Sequence, residues 1–352
     1  MDVQVVGAGP AGCFAALYAA KAGHSVTVFE EHEKIGEPCR CSGLISRNGL
    51  EALSSDVDYR KTALNWFDSV DISTGGSVLH VCAHNGDRKA FAIDRSLFDR
   101  LCAEKAEKEG AKFVLGKKSR AFTCGHIIGA DGAMSGVARD FGFPKINRFI
   151  STLQVEAKYK SESQHTVEVF LSPSEFPGFF GWVIPLDEER AKIGVGVRIP
   201  HSSKKALDML LRKKGIAKHG ALNAGLIPAG ARARTAGMFS NCGVLLCGDA
   251  AGQVKATTGG GVYFGCSCAK LAGTYAAEPM KYEAEWRRRY GKDLALHSAM
   301  RASVDIGGGP GLWLGSQAAK LLGLEDFLSK FGDMDSPSAM LNSARKGTFI
   351  GI

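Results

Sequence analysis

The hydrophobic and polar positions of this chain follow two periods, and the first thirty residues contain both. Val3, Val5 and Val6 form a short apolar run that is typical of a strand, and small apolar residues between 15 and 20 predict a helix. A second apolar run at 26–29 ends at Glu30. The pattern predicts a strand, a helix and a second strand, which is the repeating unit of a parallel sheet.

Farther along the chain, the same two patterns predict a β-rich region and several helices. Alternation of apolar and polar positions over 66–93 and 151–197 is typical of antiparallel strands, with turns at Gly75-Gly76 and Asn85-Gly86. The predicted helices run from an Asp94 N-cap to Gly110, over 204–214, over 263–277, and through much of 280–345 with a glycine-rich break at 307–311. We therefore expect an α/β protein whose C-terminal part is helical.

The turn between the first predicted strand and helix has the chemistry of a dinucleotide site. Gly7 allows a tight turn, Gly9 lets the backbone approach a pyrophosphate, and Gly12 lets the helix pack closely on the strand. The helix N-terminus then presents free N–H groups to an anion. Glu30 follows where such sites carry an acid for a ribose hydroxyl. A glycine-rich turn that only joins two core strands is the alternative, and Glu30 is harder to explain by it.

The overall composition is that of an ordinary globular protein. The chain has 352 residues, of which 45% are hydrophobic and 23% are charged. Met1 is followed at once by Asp2 and a predicted core strand, and no run reaches the roughly 18 apolar residues that a transmembrane helix needs. We therefore expect a cytosolic protein, or one that is bound to a membrane surface from the cytosol.

Cysteine spacing and charge narrow the classes of partner. The ten cysteines are scattered, and the Cys39/Cys41 and Cys266/Cys268 pairs do not match structural zinc sites, so no metal is expected. The formal charge is +8, with basic clusters at 204–218 and 287–289. Such clusters are usually a solvated face, but they also suit anionic lipid headgroups or an acidic protein partner. No nucleic-acid motif accompanies them, so nucleic acid is not expected as a partner.

Three segments each end a predicted strand in a glycine-containing polar turn: 7–12, 129–132 and 248–249. The carboxyl ends of parallel strands share one edge of the sheet, and ligands bind there. This order of motifs resembles the FAD-binding fold of the aromatic-hydroxylase type of flavoprotein. The resemblance implies that Asp249 holds a ribityl hydroxyl and that the 258–261 turn directs a helix N-terminus at the flavin pyrimidine ring. A helix N-cap is the alternative role for Asp249.

Four further features make the chain similar to the geranylgeranyl reductase family, over most of residues 1–290. They are Pro38-x-x-Cys41-Ser42-Gly43, the helix start at Arg95, Pro177-x-x-Phe180-x-Trp182-x-Ile184-Pro185, and the segment from Gly248-Asp249 to Gly259-Gly260-Gly261-Val262. The sequence departs from the family at Phe180, where Tyr is common. Together with the glycine turn, the resemblance implies contacts with FAD from Gly7, Gly9, Ala11, Gly12, Glu30, Arg40, Cys41, Ser42, Gly43, Arg95, Ser119, Asp131, Asp249, Gly259, Gly260, Gly261 and Val262.

The resemblance also implies how the chain divides into domains. The expected fold is α/β, with a Rossmann-like FAD-binding domain of the aromatic-hydroxylase type, an antiparallel β-sheet substrate domain and a C-terminal helical region. The FAD-binding domain is expected to be discontinuous. The expected boundaries are 1–65, 86–145 and 236–280 for the FAD-binding domain, 66–85 and 146–235 for the substrate domain, and 281–352 for the helical region.

The activity that the resemblance implies is saturation of isoprenoid (geranylgeranyl) double bonds of a membrane lipid or lipid precursor by hydride transfer from reduced FAD. Phe180, Trp182 and Pro185 would then line an isoprenoid tunnel, or else they belong to the sheet core. Cys41 would be a proton donor or an inert packed thiol. No second G-x-G-x-x-G occurs, so electrons are expected from docked NAD(P)H, a ferredoxin-like protein or another donor.

Two other functions stay open at the level of sequence. The segment from Phe180 to Pro185 is close to the W-x-W-x-I-P pattern of flavin-dependent halogenases, which favours a flavin monooxygenase or halogenase as the first alternative. A non-catalytic FAD electron carrier is the second. Oxygen dependence of product formation distinguishes the first alternative from a reductase, and the lack of an apolar cavity beside the flavin would indicate the second.

Overall fold

The computed structural model describes residues 1–74, 76–118, 125–321, 328–329 and 332–343. Within these ranges the strands form one sheet of six strands, one of seven and one of three, and helices pack around them. The α/β class that the sequence predicts is confirmed.

The six-stranded sheet begins with the apolar runs at the start of the chain. Its strands, in spatial order, are β15 (Ala236–Phe239), β16 (Cys242–Leu246), β9 (His126–Gly129), β1 (Asp2–Val6), β2 (Ser25–Phe29) and β8 (Lys112–Val114). All neighbouring pairs are parallel except β15 with β16. The parallel strands therefore end at one common edge, as expected for a dinucleotide-binding sheet.

Three helices pack together beside this sheet: α1 (Pro10–Lys21), α3 (Arg95–Lys108) and α6 (Val262–Thr274). Helices α1 and α6 approach closely because small residues line their contact. A Cβ atom on Gly273 would lie only 2.3 Å from the carbonyl oxygen of Ala15. Small side chains thus let α6 lie against the helix that follows the glycine turn.

The seven-stranded sheet forms a second layer and carries most of the β-rich region. Its strands, in spatial order, are β14 (Asn223–Pro228), β10 (Phe149–Lys158), β13 (Arg190–Arg198), β12 (Gly181–Pro185), β11 (Thr166–Leu171), β5 (Ser69–Thr74) and β6 (Ser77–Cys82). Its pairs are antiparallel except β11 with β5. The predicted basic helix, α5 (Ser203–Lys213), buries Ala206, Leu207, Leu210 and Leu211 in one core cluster with residues of this sheet.

The three-stranded sheet corrects part of the sequence prediction for 66–93. Strands β5 and β6 form the predicted hairpin, but β7 (Ala90–Ile93) pairs with β3 (Leu44–Ser46) and β4 (Ala63–Phe67) instead of extending it. Alternation predicts a strand without specifying its partner, so this pairing was not predictable from the pattern. Gly75 of the predicted turn lies outside the described residues. Two short helices follow strands in the sequence: α2 (Arg47–Leu53) comes after β3, and α4 (Gly136–Asp140) comes after β9.

The C-terminal region is helical. It contains α7 (Pro279–Trp286), a π-helical turn (Arg287–Gly291), α8 (Lys292–Leu321) and α9 (Pro337–Ser343). The predicted break at 307–311 is a kink, since Gly308 has a φ of 54° while the helix continues on both sides. Among the helices in the described ranges, none combines the length and the apolar character that crossing a membrane requires.

Candidate functional site

The glycine turn after β1 has the backbone geometry that its sequence predicts. Gly7 has a φ of +100°, and a Cβ on Gly12 would lie 1.8 Å from the carbonyl oxygen of Gly7. A Cβ on Gly9, by contrast, would meet no atom within 4 Å. Gly7 and Gly12 are therefore required by the fold of the turn itself, whereas Gly9 borders open space where a ligand can approach.

The N-terminus of α1 faces the same space. The first helical hydrogen bond runs from the Cys13 N–H to the Gly9 carbonyl, at 3.0 Å, so the N–H groups of Ala11 and Gly12 have no acceptor within the helix. The Glu30 carboxylate is tied to the turn, because it accepts a hydrogen bond of 2.7 Å from the Ala8 N–H. These groups place anion-binding N–H donors beside an acid, which is the arrangement of a dinucleotide site.

Asp131, at the second strand end, has a structural partner. Its carboxylate accepts hydrogen bonds from the Ser135 hydroxyl at 2.5 Å and from the Val137 N–H at 3.0 Å, at the start of α4. Asp131 also borders the cavity described below. The G-A-D-G turn is thus held by its own helix, and Asp131 is not a free ligand-binding carboxylate.

Asp249, at the third strand end, is different. Within the part of the chain that the structure describes, its carboxylate has no hydrogen-bond partner, and it lines the cavity. Burial raises the pKa of Asp249 to about 6, and the positive charge of Arg95 partly opposes this. A partly buried carboxylate without a donor is destabilising, so this position favours a ligand that brings hydroxyl donors.

The 258–261 turn leads directly into α6. The Gly259 N–H donates to the Lys255 carbonyl at 2.8 Å, and the first helical bond of α6 runs from the Gly265 N–H to the Gly261 carbonyl at 2.7 Å. The N–H groups of the first turn of α6, beginning at Val262, are therefore left without helical acceptors. Gly259, Gly260, Gly261 and Val262 all line the cavity, so a second helix N-terminus faces it.

A buried ion pair that no sequence motif indicates lies beside this turn. Lys255 Nζ lies 2.6 Å from Asp335 Oδ1, and both side chains are less than a tenth exposed. The other Asp335 carboxylate oxygen accepts a hydrogen bond from the Ser46 hydroxyl. The C-terminal segment is thereby fixed to the turn and to the start of α2. Because these residues are far apart in the sequence, no local motif could have revealed the contact.

Arg95 is buried at the start of α3 and lines the cavity, but its main partner, Asp99, lies on the same helix. Arg95 Nη2 lies 3.0 Å from Asp99 Oδ1, one helical turn away. The Arg95 guanidinium is therefore paired with a carboxylate of its own helix. The pair fits the (i, i+4) spacing that stabilises helices, which is a signal that the sequence contains.

The loop at 38–43 borders the cavity through Cys39, Arg40, Cys41 and Ser42. Two contacts dock it on the seven-stranded sheet. The buried Lys192 on β13 donates a hydrogen bond from Nζ to the Ser42 carbonyl at 3.1 Å, and a Cβ on Gly225 would lie 3.2 Å from the Arg40 carbonyl. The backbone of the loop is thus held against the sheet.

One continuous cavity of about 1220 Å³ joins these features to the seven-stranded sheet. Phe180 and Trp182 line it, with their ring centroids 5.8 Å apart, and Phe179 stacks on Phe180 at 4.2 Å. Apolar side chains of three adjacent strands complete this wall: Ile184, Val167, Val169, Leu171, Val70 and Ile72. The cavity therefore has a polar part at the strand ends and an apolar part on the sheet.

Three predicted site residues within the described ranges do not line this cavity. Pro185 is wrong as a wall residue, because it follows Ile184 on β12 and so lies on the opposite face of the strand. Gly43 and Gly12 serve the backbone instead: a Cβ on Gly43 would lie 2.4 Å from the Ile93 carbonyl, and Gly12 meets Gly7 as described above. Ser119 lies outside the described residues.

Comparison with known proteins shows the family. Residues 5–59 match the NAD(P)-binding Rossmann-like domain family. Digeranylgeranylglycerophospholipid reductase 2 of Methanothermobacter thermautotrophicus is 30% identical over 351 residues, covering 86% of this chain and 88% of the relative. This chain belongs to the geranylgeranyl reductase family. A second relative with the same name, from Methanopyrus kandleri, is 29% identical and covers 86% of this chain and 85% of its own length.

Solved structures agree on the fold of this reductase. A geranylgeranyl bacteriochlorophyll reductase-like protein from Thermoplasma acidophilum superposes with a TM-score of 0.77 at 22% identity, covering 99% of this chain and 97% of its own. A flavin-dependent brominase superposes with a TM-score of 0.69 at 14% identity, with 98% of each chain covered. Its family makes the protein an oxidoreductase, and these structures show that it has the fold of the aromatic-hydroxylase type of flavoprotein.

Proposed function

We propose that this protein binds FAD and uses it to saturate isoprenoid double bonds of a lipid or lipid precursor. The observation that carries the proposal is the continuity of the cavity, which runs from the glycine turns of the parallel sheet to the apolar face of the seven-stranded sheet. A cofactor bound at the first surface would meet an apolar chain bound at the second. The relatives described above are named as digeranylgeranylglycerophospholipid reductases, which supports a geranylgeranyl lipid as the substrate.

The residues at the strand ends fit FAD on three observations. Gly9 borders open space beside the free N–H groups of α1, which suits a pyrophosphate. Glu30 lies next to that turn, where a ribose hydroxyl would be. Asp249 is a carboxylate without a donor, which suits ribityl hydroxyls. The N-terminus of α6 would then be directed at the pyrimidine ring, where its dipole favours negative charge.

The sheet side of the cavity would bind the prenyl chain and exclude water. Burial of each CH₂ group contributes about 0.8 kcal/mol, so an apolar wall of this size binds a long isoprenoid without any charged contact. Phe180 and Trp182 would fix the position of a double bond beside the flavin. An isolated alkene is not polarised by a carbonyl, so the reaction depends on positioning and on the exclusion of water.

Bound, reduced FAD would supply a hydride to one alkene carbon. The other carbon requires a proton, and the Cys41 thiol is the group we assign to hold it at Sγ. Cys41 borders the cavity, and its Sγ accepts a hydrogen bond of 3.4 Å from the Gly43 N–H. One hydride and one proton together add two hydrogens across the double bond.

An anaerobic turnover tests this proposal. The purified protein is loaded with FAD, reduced with dithionite and mixed with a digeranylgeranyl glycerophospholipid, and the lipid is followed by mass spectrometry. We expect a gain of two hydrogens for each double bond, dependent on bound flavin. Product that forms only with oxygen would instead support the monooxygenase or halogenase alternative. Unchanged lipid with a flavin that still exchanges electrons would support the electron carrier.

The electron donor and the membrane surface belong to the same proposal. NAD(P)H, a ferredoxin-like protein or another donor would reduce the flavin by transient docking.

The basic clusters are partly neutralised, since Lys213 pairs with Glu175 and Lys214 with Glu168. A lipid surface would more readily meet α8, where Ile306 is 87% exposed and Met300, half exposed, borders the cavity. Flotation with anionic vesicles tests this contact, and Ile306→Asp should reduce it.

A further inference from the structure

The cavity face of the seven-stranded sheet is not uniformly apolar. Toward β11 and β5 it presents aliphatic side chains such as Val169 and Ile72. Toward β10 it presents two polar residues, Thr152 and Gln154, which alternate with buried Leu153 and therefore share one face. A polar end of an otherwise apolar wall needs a partner, because polar groups are buried at a cost unless they are hydrogen-bonded.

The strand register brings Gln154 together with Trp182. Gln154 on β10 pairs with Gly194 on β13, and Gly194 pairs in turn with Trp182 on β12. Residues that are directly paired across neighbouring strands point to the same face of a sheet. The three residues therefore form one row across the sheet, with glycine in the middle.

The absence of a side chain on Gly194 lets its two neighbours converge. A Cβ there would lie 2.5 Å from Cε2 of the Trp182 indole, the carbon bonded to Nε1, and 2.7 Å from Cβ of Gln154. The indole thus lies across β13 toward Gln154. A glycine inside a strand often marks such a close approach of neighbouring groups.

Both converging side chains carry a polar atom without a partner. Trp182 Nε1 and Gln154 Oε1 are buried and have no hydrogen bond to any described residue. The two residues are only 8% and 6% exposed, and both line the cavity. The indole N–H is a donor and the amide oxygen is an acceptor, so a single ligand group that both accepts and donates a hydrogen bond can satisfy the two atoms.

We propose that Trp182 and Gln154 form a binding subsite for a single hydroxyl oxygen, either a water molecule or the alcohol group of a ligand. A hydroxyl accepts a hydrogen bond from the indole N–H and donates one to the amide oxygen. An ether oxygen or a ketone can only accept, so it would leave Gln154 unsatisfied. Lys192 lies on the same face of β13, but its ammonium group donates to the Ser42 carbonyl and pairs with the Glu156 carboxylate. The groups that form the subsite itself are therefore neutral.

The subsite lies beside the loop that carries Cys41. Thr152 precedes Gln154 by two residues on the same face and pairs with Gly225, which meets the Arg40 carbonyl of that loop. A hydroxyl held there would lie where the apolar wall meets the loop. It would anchor a prenyl alcohol at one end, or hold one water near the Cys41 thiol.

Binding of two matched ligands tests the ligand form of the subsite. The probes are geranylgeraniol and its methyl ether, measured by calorimetry with the FAD-loaded protein. We expect the alcohol to bind about tenfold more tightly, because the ether cannot donate to Gln154. The preference should vanish in Gln154→Leu and in Trp182→Phe. It should persist in Thr166→Val, which removes a buried hydroxyl from β11 away from the cavity.

A high-resolution crystal structure of the same holoprotein tests the water form. We expect an ordered oxygen within hydrogen-bond distance of both Trp182 Nε1 and Gln154 Oε1, lost in Gln154→Leu. If the protein binds geranylgeraniol and its methyl ether equally tightly, and this water persists with ligand bound, then water is the occupant of the subsite. Equal binding of both probes together with no such oxygen overturns the proposal, as does a direct contact of the flavin with both atoms. These readouts do not depend on alkene reduction, so failure of turnover would not imitate failure of the subsite.

Discussion

The edge of the parallel sheet and the cavity face of the seven-stranded sheet border one cavity but are specified in different ways. At the parallel sheet edge, most groups that face the cavity lie in short turns, such as the one from Gly7 to Gly12. On the seven-stranded sheet, the wall depends on residues that are far apart, such as Gln154, Gly194 and Trp182, meeting through strand register. The first surface is local in sequence and the second is not.

The two surfaces also use glycine differently. At the sheet edge, Gly7 and Gly12 allow backbone to meet backbone. On the seven-stranded sheet, a Cβ on Gly194 would strike the Trp182 indole, and one on Gly196 would lie 2.3 Å from the Phe179 ring. Glycines on this sheet therefore make room for aromatic side chains. Substitution of Gly7 or Gly12 should therefore destabilise the fold, whereas substitution of Gly194 or Gly196 should change the shape of the cavity.

The largest effect is expected from Gly12→Val. Its Cβ would be placed 1.8 Å from a backbone oxygen that cannot move away, so we expect destabilisation of about 3 kcal/mol or more and no flavin in the purified protein. Gly9→Ala is the matched variant, because its Cβ meets open space. It should fold with nearly unchanged Tm while its flavin affinity falls. Equal Tm losses in both variants would contradict the distinction.

The next largest effect is expected at the ion pair between Lys255 and Asp335. This pair is an exception to the local character of the parallel sheet edge, because its two residues are far apart in the sequence yet meet at the turn before α6. Asp335→Ala would leave the Lys255 ammonium buried without a partner, at a cost of about 3–5 kcal/mol in unfolding free energy. Denaturant unfolding measures this cost. The double variant Lys255→Met, Asp335→Leu should recover most of the stability, and a double variant as unstable as Asp335→Ala would argue against the charge as the cause.

A smaller effect is expected from Gly194→Ala on the seven-stranded sheet. The new methyl group would displace the Trp182 indole, at a cost of about 1–3 kcal/mol. Flavin content should stay at the wild-type level while binding of a prenyl ligand weakens. Gly309→Ala, where a Cβ meets nothing within 4 Å, serves as the control. Loss of flavin from Gly194→Ala would show that the two surfaces are not separable.

The smallest effect concerns pH. Burial raises the pKa of Asp249 to about 6, and the hydroxyl donors of bound FAD would favour the ionised form and lower that pKa. FAD should therefore bind best above this pH and more weakly below it, by up to about tenfold for each pH unit. Fluorescence titration at several pH values measures this. Asp249→Asn should flatten the profile, whereas Glu189→Gln, on an exposed turn, should retain it.

The sequence predicted what local chemistry determines. The turn at Gly7, the Asp94 N-cap and the apolar strands are set by neighbouring residues, and each lies where its pattern indicates. The partner of Arg95 was also predictable, because Asp99 is one helical turn away. The parallel pairing of β5 with β11 and the contact of Lys255 with Asp335 were not, because alternation and charge do not specify a distant partner.

A stoichiometric anaerobic reaction tests most directly whether the flavin and the prenyl chain react within one cavity. The FAD-loaded protein is reduced to completion and freed of reductant. It is then mixed with excess digeranylgeranyl glycerophospholipid while flavin absorbance and lipid mass are both recorded. We expect one double bond to be saturated for each flavin that is reoxidised, because the cofactor and the prenyl chain would meet in one cavity. Flavin that stays reduced beside bound but unchanged lipid would contradict it.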